Sequence, residues 1–141
     1  MDPVMDKASL ALFLARELPQ VAGDFGIEDL GPMRLSVAAR HLRPGGTVSG
    51  PLIFALADVA FYLALMAAIG PEALAVTTNA GVDFLRKPAA SVDLIAEVRI
   101  LKLGRVLAVG DVLIFSEGMV APVARANLAY SIPPKSALRP R

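Results

Sequence analysis

Between Pro51 and Gly70 the chain reads LIFALADVAFYLALMAAI, with Asp58 as its single charged residue. No other segment constrains the fold so strongly, because a helix that is apolar all round must be enclosed, either by lipid or by the rest of the protein. The boundaries are written locally. Ser49 or Gly50 can cap a helix whose first turn holds Pro51, where the missing N–H would have no helical partner anyway. Gly70-Pro71 ends it. On the membrane-insertion scale its nine Leu, Ile, Phe and Val residues contribute about −4 kcal/mol, and a central Asp about +3 kcal/mol, so hydropathy leaves lipid and protein almost balanced. The context favours protein. Gly and Pro flank the segment instead of a Lys/Arg cluster, and strands with polar faces follow it, as a sheet wrapped around a buried helix requires.

The first twenty residues predict a short amphipathic helix over about 5–19, with Leu10, Phe13, Leu14 and Leu18 on one face and Pro19 as its stop. Asp2 and Asp6 stand where a signal peptide would carry positive charge, so a cytoplasmic protein is expected. A short strand is expected around Phe25 and Ile27. Met33, Leu35, Val37 and Ala39 then alternate with Arg34, Ser36, Ala38 and Arg40 as a half-buried strand, and His41 falls on its apolar phase.

After the long helix the pattern is β. One strand is predicted over 73–86, stopped by Lys87-Pro88, and a second over 91–103, with a phase slip at Ile100-Leu101 that signals a bulge. A nearly continuous apolar run over 105–115 reads as a central strand, and Ser116-Glu117-Gly118 as a turn. Residues 119–132 supply the last strand, and an unstructured tail over about 133–141 is expected. Short connections imply antiparallel neighbours. The expected architecture is a single α+β domain spanning 1–141, an antiparallel sheet around one central helix.

Composition narrows the chemistry. With no cysteine and one histidine, thiol nucleophiles, thiolate metal sites and a two-His zinc helix are excluded. Fourteen basic against thirteen acidic residues leave no basic field for nucleic acid. The 55% hydrophobic content and mean hydropathy of +0.59 are high beside only 19% charged residues, since soluble domains carry about a quarter. Apolar surface buried between subunits would account for the excess.

Asp58 then needs an explanation, because an unpaired buried charge costs several kcal/mol. Either it meets an Arg or backbone donors from elsewhere in the fold, or it is a base or nucleophile in a desolvated site. Gly50 presents an unhindered N–H at the positive end of the same helix, which suits an acyl oxyanion. The helix start lies about 10 Å from Asp58, too far for one carbonyl to touch both, so Gly50 of one subunit would serve Asp58 of another in a two-fold dimer.

Gly50 with Leu56-Ala57-Asp58-Val59-Ala60, then Val76-Thr77-Thr78, Asp83-Phe84-Leu85-Arg86-Lys87-Pro88-Ala89 and Leu103-Gly104-Arg105, in this order and spacing from about Arg34 to Tyr130, resemble the phenylacetic-acid-degradation (PaaI-like) family of hotdog-fold acyl-CoA thioesterases. The resemblance implies a hotdog fold, an antiparallel sheet around a long helix, assembled as a homodimer or a dimer of dimers. It implies an acyl-CoA substrate and no separate cofactor, coenzyme A entering as part of the substrate. Asp58 would activate water or attack the thioester carbon. Thr77 would hold the water, and the Gly50 N–H from the partner subunit would polarise the carbonyl. Arg86, Lys87 and Arg105 resemble in placement residues that meet the nucleotide end of coenzyme A.

Two positions depart from the family. Its usual His-Gly-Gly at the helix start is Ser49-Gly50-Pro51 here, and an Asn often found six residues before that His falls on Arg43. Ser49 and Arg43 thus replace two carbonyl-side donors, which points to an altered substrate preference or weaker activity. Phe54, Phe61 and Tyr62 are the expected walls of an acyl pocket. A catalytically silent hotdog protein that binds acyl-CoA or a similar ligand is the alternative function.

Overall fold

The computed structural model describes residues 4–19, 25–27, 33–36, 41–43, 47–89 and 91–134. Helix α1 (Lys7–Glu17) begins at an Asp6 cap, whose carboxylate accepts from the Ser9 N–H at 2.8 Å, and buries Leu10, Phe13 and Leu14. Short strands β1 (Phe25–Ile27) and β2 (Met33–Leu35) follow, then a two-residue ladder of β3 (Leu42–Arg43) and β4 (Thr47–Val48) that leads into the long helix α2 (Gly50–Ile69). Gly70, at φ 93° in the region that favours glycine, donates its N–H to the Met66 carbonyl at 2.8 Å and ends α2.

Four longer strands complete the chain, β5 (Val76–Phe84), β6 (Leu94–Leu103), β7 (Leu107–Ser116) and β8 (Ala124–Ser131). With β1 and β2 they form one antiparallel sheet in the order β1-β2-β6-β7-β8-β5. This is the hotdog architecture that the sequence resemblance implies. The expected bulge sits where the β6–β7 register shifts, between Ile100 and Lys102.

The sheet meets α2 through small residues. Ala96, Ala108, Gly110, Ala124 and Ala126 line the buried face of β6, β7 and β8. Opposite them Leu56, Phe61, Leu65 and Met66 of α2 are fully enclosed, each large side chain contributing about 1.5–3 kcal/mol. A Cβ at Gly110 would overlap the Arg99 carbonyl oxygen and stand 2.6 Å from Phe61 Cε2. Although α2 is long and apolar enough to cross a membrane, 56% of its most apolar window is buried within this fold.

Three sequence expectations are corrected. The expected strand over 73–86 begins only at Val76, because the turn before it closes with Ala75 N–H donating to the Glu72 carbonyl at 2.9 Å. The last strand begins at Ala124, after an irregular crossing braced by Leu85 N–H donating to the Val123 carbonyl at 2.8 Å. β5 and β6 are not neighbours despite being consecutive, since β5 pairs with β8 at the far edge. Of the expected tail, Pro133 and Pro134 are described and 135–141 lie outside the described residues. The part of the expected second strand over 37–40 lies outside them too.

As the edge strand, β5 has one flank without a strand partner among the described residues, and large apolar side chains along it, Val76 and Phe84, are each 56% exposed.

The contact at Gly110 yields a stability prediction. Gly110→Ala should destabilise the fold by about 3 kcal/mol, because neither a backbone carbonyl nor a fully enclosed ring can retreat cheaply. Gly26→Ala, where nothing stands within 4 Å of the added carbon, should be near neutral. Chemical denaturation of both variants beside the parent checks the contrast.

Candidate active site

Asp58 projects from the middle of α2 to where β5 and β8 run side by side. Thr77 and Tyr130 are directly paired across that ladder, so their side chains emerge on the same face. The Tyr130 hydroxyl donates to Asp58 Oδ1 at 2.6 Å, and the Thr77 hydroxyl donates to the same oxygen at 2.8 Å. The two partners that relieve the acid's desolvation are therefore hydroxyls, with no arginine among them.

Aromatic packing fixes the tyrosine. The Tyr130 ring stacks on Phe61 at 5.3 Å between centroids and meets Tyr62 at 6.1 Å. Tyr62 in turn packs on Phe13 of α1 at 5.8 Å and donates its hydroxyl to the Ala73 carbonyl at 3.1 Å. A cleft of about 310 Å³ opens beside Asp58, walled by Leu18 and Glu17 at the end of α1, Val59 and Tyr62 of α2, and Thr77 and Tyr130. Burial, followed by the Glu17 charge, pushes the Tyr62 phenol up to about 12. Burial, followed by the hydrogen bond to Asp58, raises Tyr130 above the ordinary phenol range. Among the described residues no group of three or more His, Asp or Glu side chains could hold a metal ion.

Of the residues singled out in the sequence, the fold brings Asp58, Thr77 and Tyr62 together. Ser49 and Gly50 stand at the N-terminus of α2, about 12 Å along the helix from Asp58, where the Ser49 side chain makes no capping hydrogen bond. A Cβ at Gly50 would stand 3.2 Å from Phe84 Cζ, so the ring of β5's last residue lies against the helix start. Phe54 is half-buried and outside the Asp58 cleft.

Phe61, expected as a pocket wall, instead lies fully buried between Tyr130 and Gly110. The helical phase turns it toward the sheet while Tyr62 takes the cleft. The Arg86 guanidinium donates to the Pro122 carbonyl and Lys87 is exposed. Arg105 borders a second cavity, of about 650 Å³, with Ile69, Glu72 and Ile132. The strand register puts Arg105 near the Val76 end of the sheet and Arg86 at the Phe84 end. One chain does not join these cations. The Arg43 side chain lies outside the described residues.

Tyr130 is absent from the sequence-derived set. On β8 it continues the apolar phase of Ala124, Ala126 and Leu128, so its pattern is that of a core residue. Only the register against Thr77 reveals the contact. Glu17 and Leu18 escaped for a similar reason, since their place beside Asp58 depends on how α1 docks.

A family model described as the thioesterase superfamily matches residues 45–123. The chain is 59% identical to a candidate thioesterase from Silicibacter sp. TM1040, covering 95% of this chain and 96% of that one with a TM-score of 0.89. A variant of the phenylacetic acid degradation protein PaaI from Thermus thermophilus is 28% identical, over 82% of this chain and 99% of that one, with a TM-score of 0.68. A Streptococcus mutans protein solved with acetyl-CoA bound shares the fold at 22% identity, over 72% of this chain and 79% of that one, with a TM-score of 0.64. No curated protein matches the chain.

The site makes a spectroscopic prediction, because the chain has two tyrosines and both belong to it. In the unfolded chain each phenol loses its proton near its ordinary value of 10.0, whereas the folded chain still holds both there. From about pH 10 upward the unfolded state therefore binds fewer protons, and stability falls as pH rises toward the folded values. Absorbance at 295 nm should stay flat through pH 10 and then rise together with loss of the fold. A separate tyrosinate transition near pH 10 with the fold intact would contradict the buried cluster.

Proposed function

The chain belongs to the thioesterase superfamily and is a thioester hydrolase, and on that premise we propose that it cleaves an acyl-CoA to the free acid and coenzyme A, with Asp58 as the reacting acid. The observation that carries this reading is the carboxylate itself, on an otherwise apolar helix, held through Oδ1 by two hydroxyls and facing a cleft. The bound acetyl-CoA of the Streptococcus mutans protein supports the choice of coenzyme A as the leaving group.

Two routes suit a carboxylate so placed. As a general base, Asp58 takes a proton from water while the water oxygen bonds to the thioester carbon; as a nucleophile, it bonds to that carbon itself and water later cleaves the acyl-enzyme anhydride. In both, the carbon–sulfur bond breaks, the coenzyme A sulfur leaves as a thiolate that takes up a proton, and water supplies the new oxygen of the acid. Thr77 lies close enough to hold the water as well as the carboxylate. The Gly50 N–H at the positive end of α2 is the oxyanion donor in this reading, supplied by a second subunit because its own Asp58 is about 12 Å away.

The same geometry supports a homodimer. An edge strand with an open flank is a template for a second copy, and the exposed Val76 and Phe84 of β5 are the apolar surface such pairing would cover. Two such dimers could pair as a tetramer. Arg86, Lys87 and Arg105 are exposed and available to the phosphates of coenzyme A, the ends of two chains supplying what one chain separates. The Ser49 and Arg43 departures favour a second reading, a silent protein that binds acyl-CoA.

Thiol release from acetyl-CoA, benzoyl-CoA and palmitoyl-CoA distinguishes them. The parent should turn over at least one, and Asp58→Asn should lose at least about 100-fold in kcat. If the parent binds without turnover, the silent reading holds. Mixing Asp58→Asn with Gly50→Val under subunit exchange should restore activity that neither variant has alone. Failure to restore it would show that the site does not cross subunits.

A further inference from the structure

Two hydroxyls converge on one oxygen of Asp58. The half-buried acid needs only one of them to be paired, and the pairing leaves the second oxygen uncommitted. Among the described residues Oδ2 receives no hydrogen bond, whereas Oδ1 receives those of Tyr130 at 2.6 Å and Thr77 at 2.8 Å. Because each hydroxyl has one proton to give, Tyr130 is the donor of the shorter bond, and its oxygen also sits 3.2 Å from the Asp58 carbonyl. We propose that Tyr130 is a positioning residue, which pins Oδ1 and turns Oδ2 to the cleft as the reacting oxygen.

This inference rests on the reading of Asp58 as the reacting acid. Its support is structural. Tyr130 is 3% exposed, its ring is clamped by Phe61 and Tyr62, and its Cα is paired with that of Thr77. A donor held on three sides returns the carboxylate to one rotamer after each turnover. Burial keeps the phenol protonated, and hence a donor, at every pH at which a carboxylate titrates. The titratable groups facing Asp58 across the cleft are Glu17 of α1, paired with Arg16, together with Tyr62 of α2 and Tyr130 of β8. β5 contributes the uncharged Thr77, and β6 and β7 contribute nothing to the cleft lining.

The test removes the donor and keeps the ring. Tyr130→Phe should lower kcat about 10-fold with KM within about twofold of the parent. Loss of the hydroxyl as mere packing would lower stability and leave kcat of the folded protein in place. In parallel, the rotamer of a selectively 13C-labelled Asp58 is read by NMR three-bond couplings at neutral pH in both proteins. The parent should show one χ1 rotamer and Tyr130→Phe an average over several, whether or not any acyl-CoA is turned over. The NMR arm thus separates failure of this inference from failure of the proposed hydrolysis. The same single rotamer in both proteins would overturn it, and so would an unchanged kcat.

Discussion

Phe61 reaches the backbone of β7 only because residue 110 has no side chain. That contact is one point of a broader constraint. An eighteen-residue apolar run can be kept from water by a single sheet only if the sheet comes very close along its length, and closeness requires alanine and glycine on the inner face of β6, β7 and β8. The small residues there and the large ones on α2 form one complementary surface. Helix α1 covers a further part of α2, burying Leu10, Phe13 and Leu14. What remains open is the β5 side, where one sheet layer cannot wrap the helix fully and apolar side chains stay at the surface.

The same constraint shapes the site. A carboxylate in the middle of such a helix has no ion partner on its own element, and the sheet that approaches it presents mostly aliphatic side chains. Two hydroxyls on paired positions of β5 and β8 are what this environment offers, and they satisfy the acid without neutralising it. A guanidinium in their place would hold the charge more strongly and leave it less free to take a proton or attack a carbonyl. The aromatic layer of Phe61, Tyr62 and Tyr130 then ties the site to the core, so that Gly110, reached from Asp58 through Tyr130 and Phe61, belongs to the support of the chemistry as well as to the fold.

Much of this is legible before any coordinates. The ends of α2 follow from Ser49, Pro51 and Gly70, the β6 bulge from the phase slip at Ile100, and Asp58 from being the one charge in its helix. Thr77 is reached only through a resemblance, since its spacing from Asp58 carries no local signal. The errors have a common cause. Phe61 and Tyr62 are adjacent, and periodicity does not say which one the sheet claims and which one the cleft receives. Tyr130 shares its phase with three core residues, so pattern alone makes it core. β5 precedes β6 in the chain but pairs with β8, because strand order is decided by which edges complement one another over long sequence separations.

The sequence by itself therefore determined the identity of the buried element, the class of sheet needed to enclose it, and the acid left in its middle. These are local consequences of hydropathy, capping residues and the cost of burying charge. Tertiary structure alone decided which donors meet that acid and from which side substrate can reach it. Those contacts depend on the β5–β8 register and on the docking of α1, and both are set by packing between residues far apart in the chain. A one-residue change in that register would turn Thr77 or Tyr130 to the other face, leaving the composition and the helix unaltered and Asp58 without its hydroxyls.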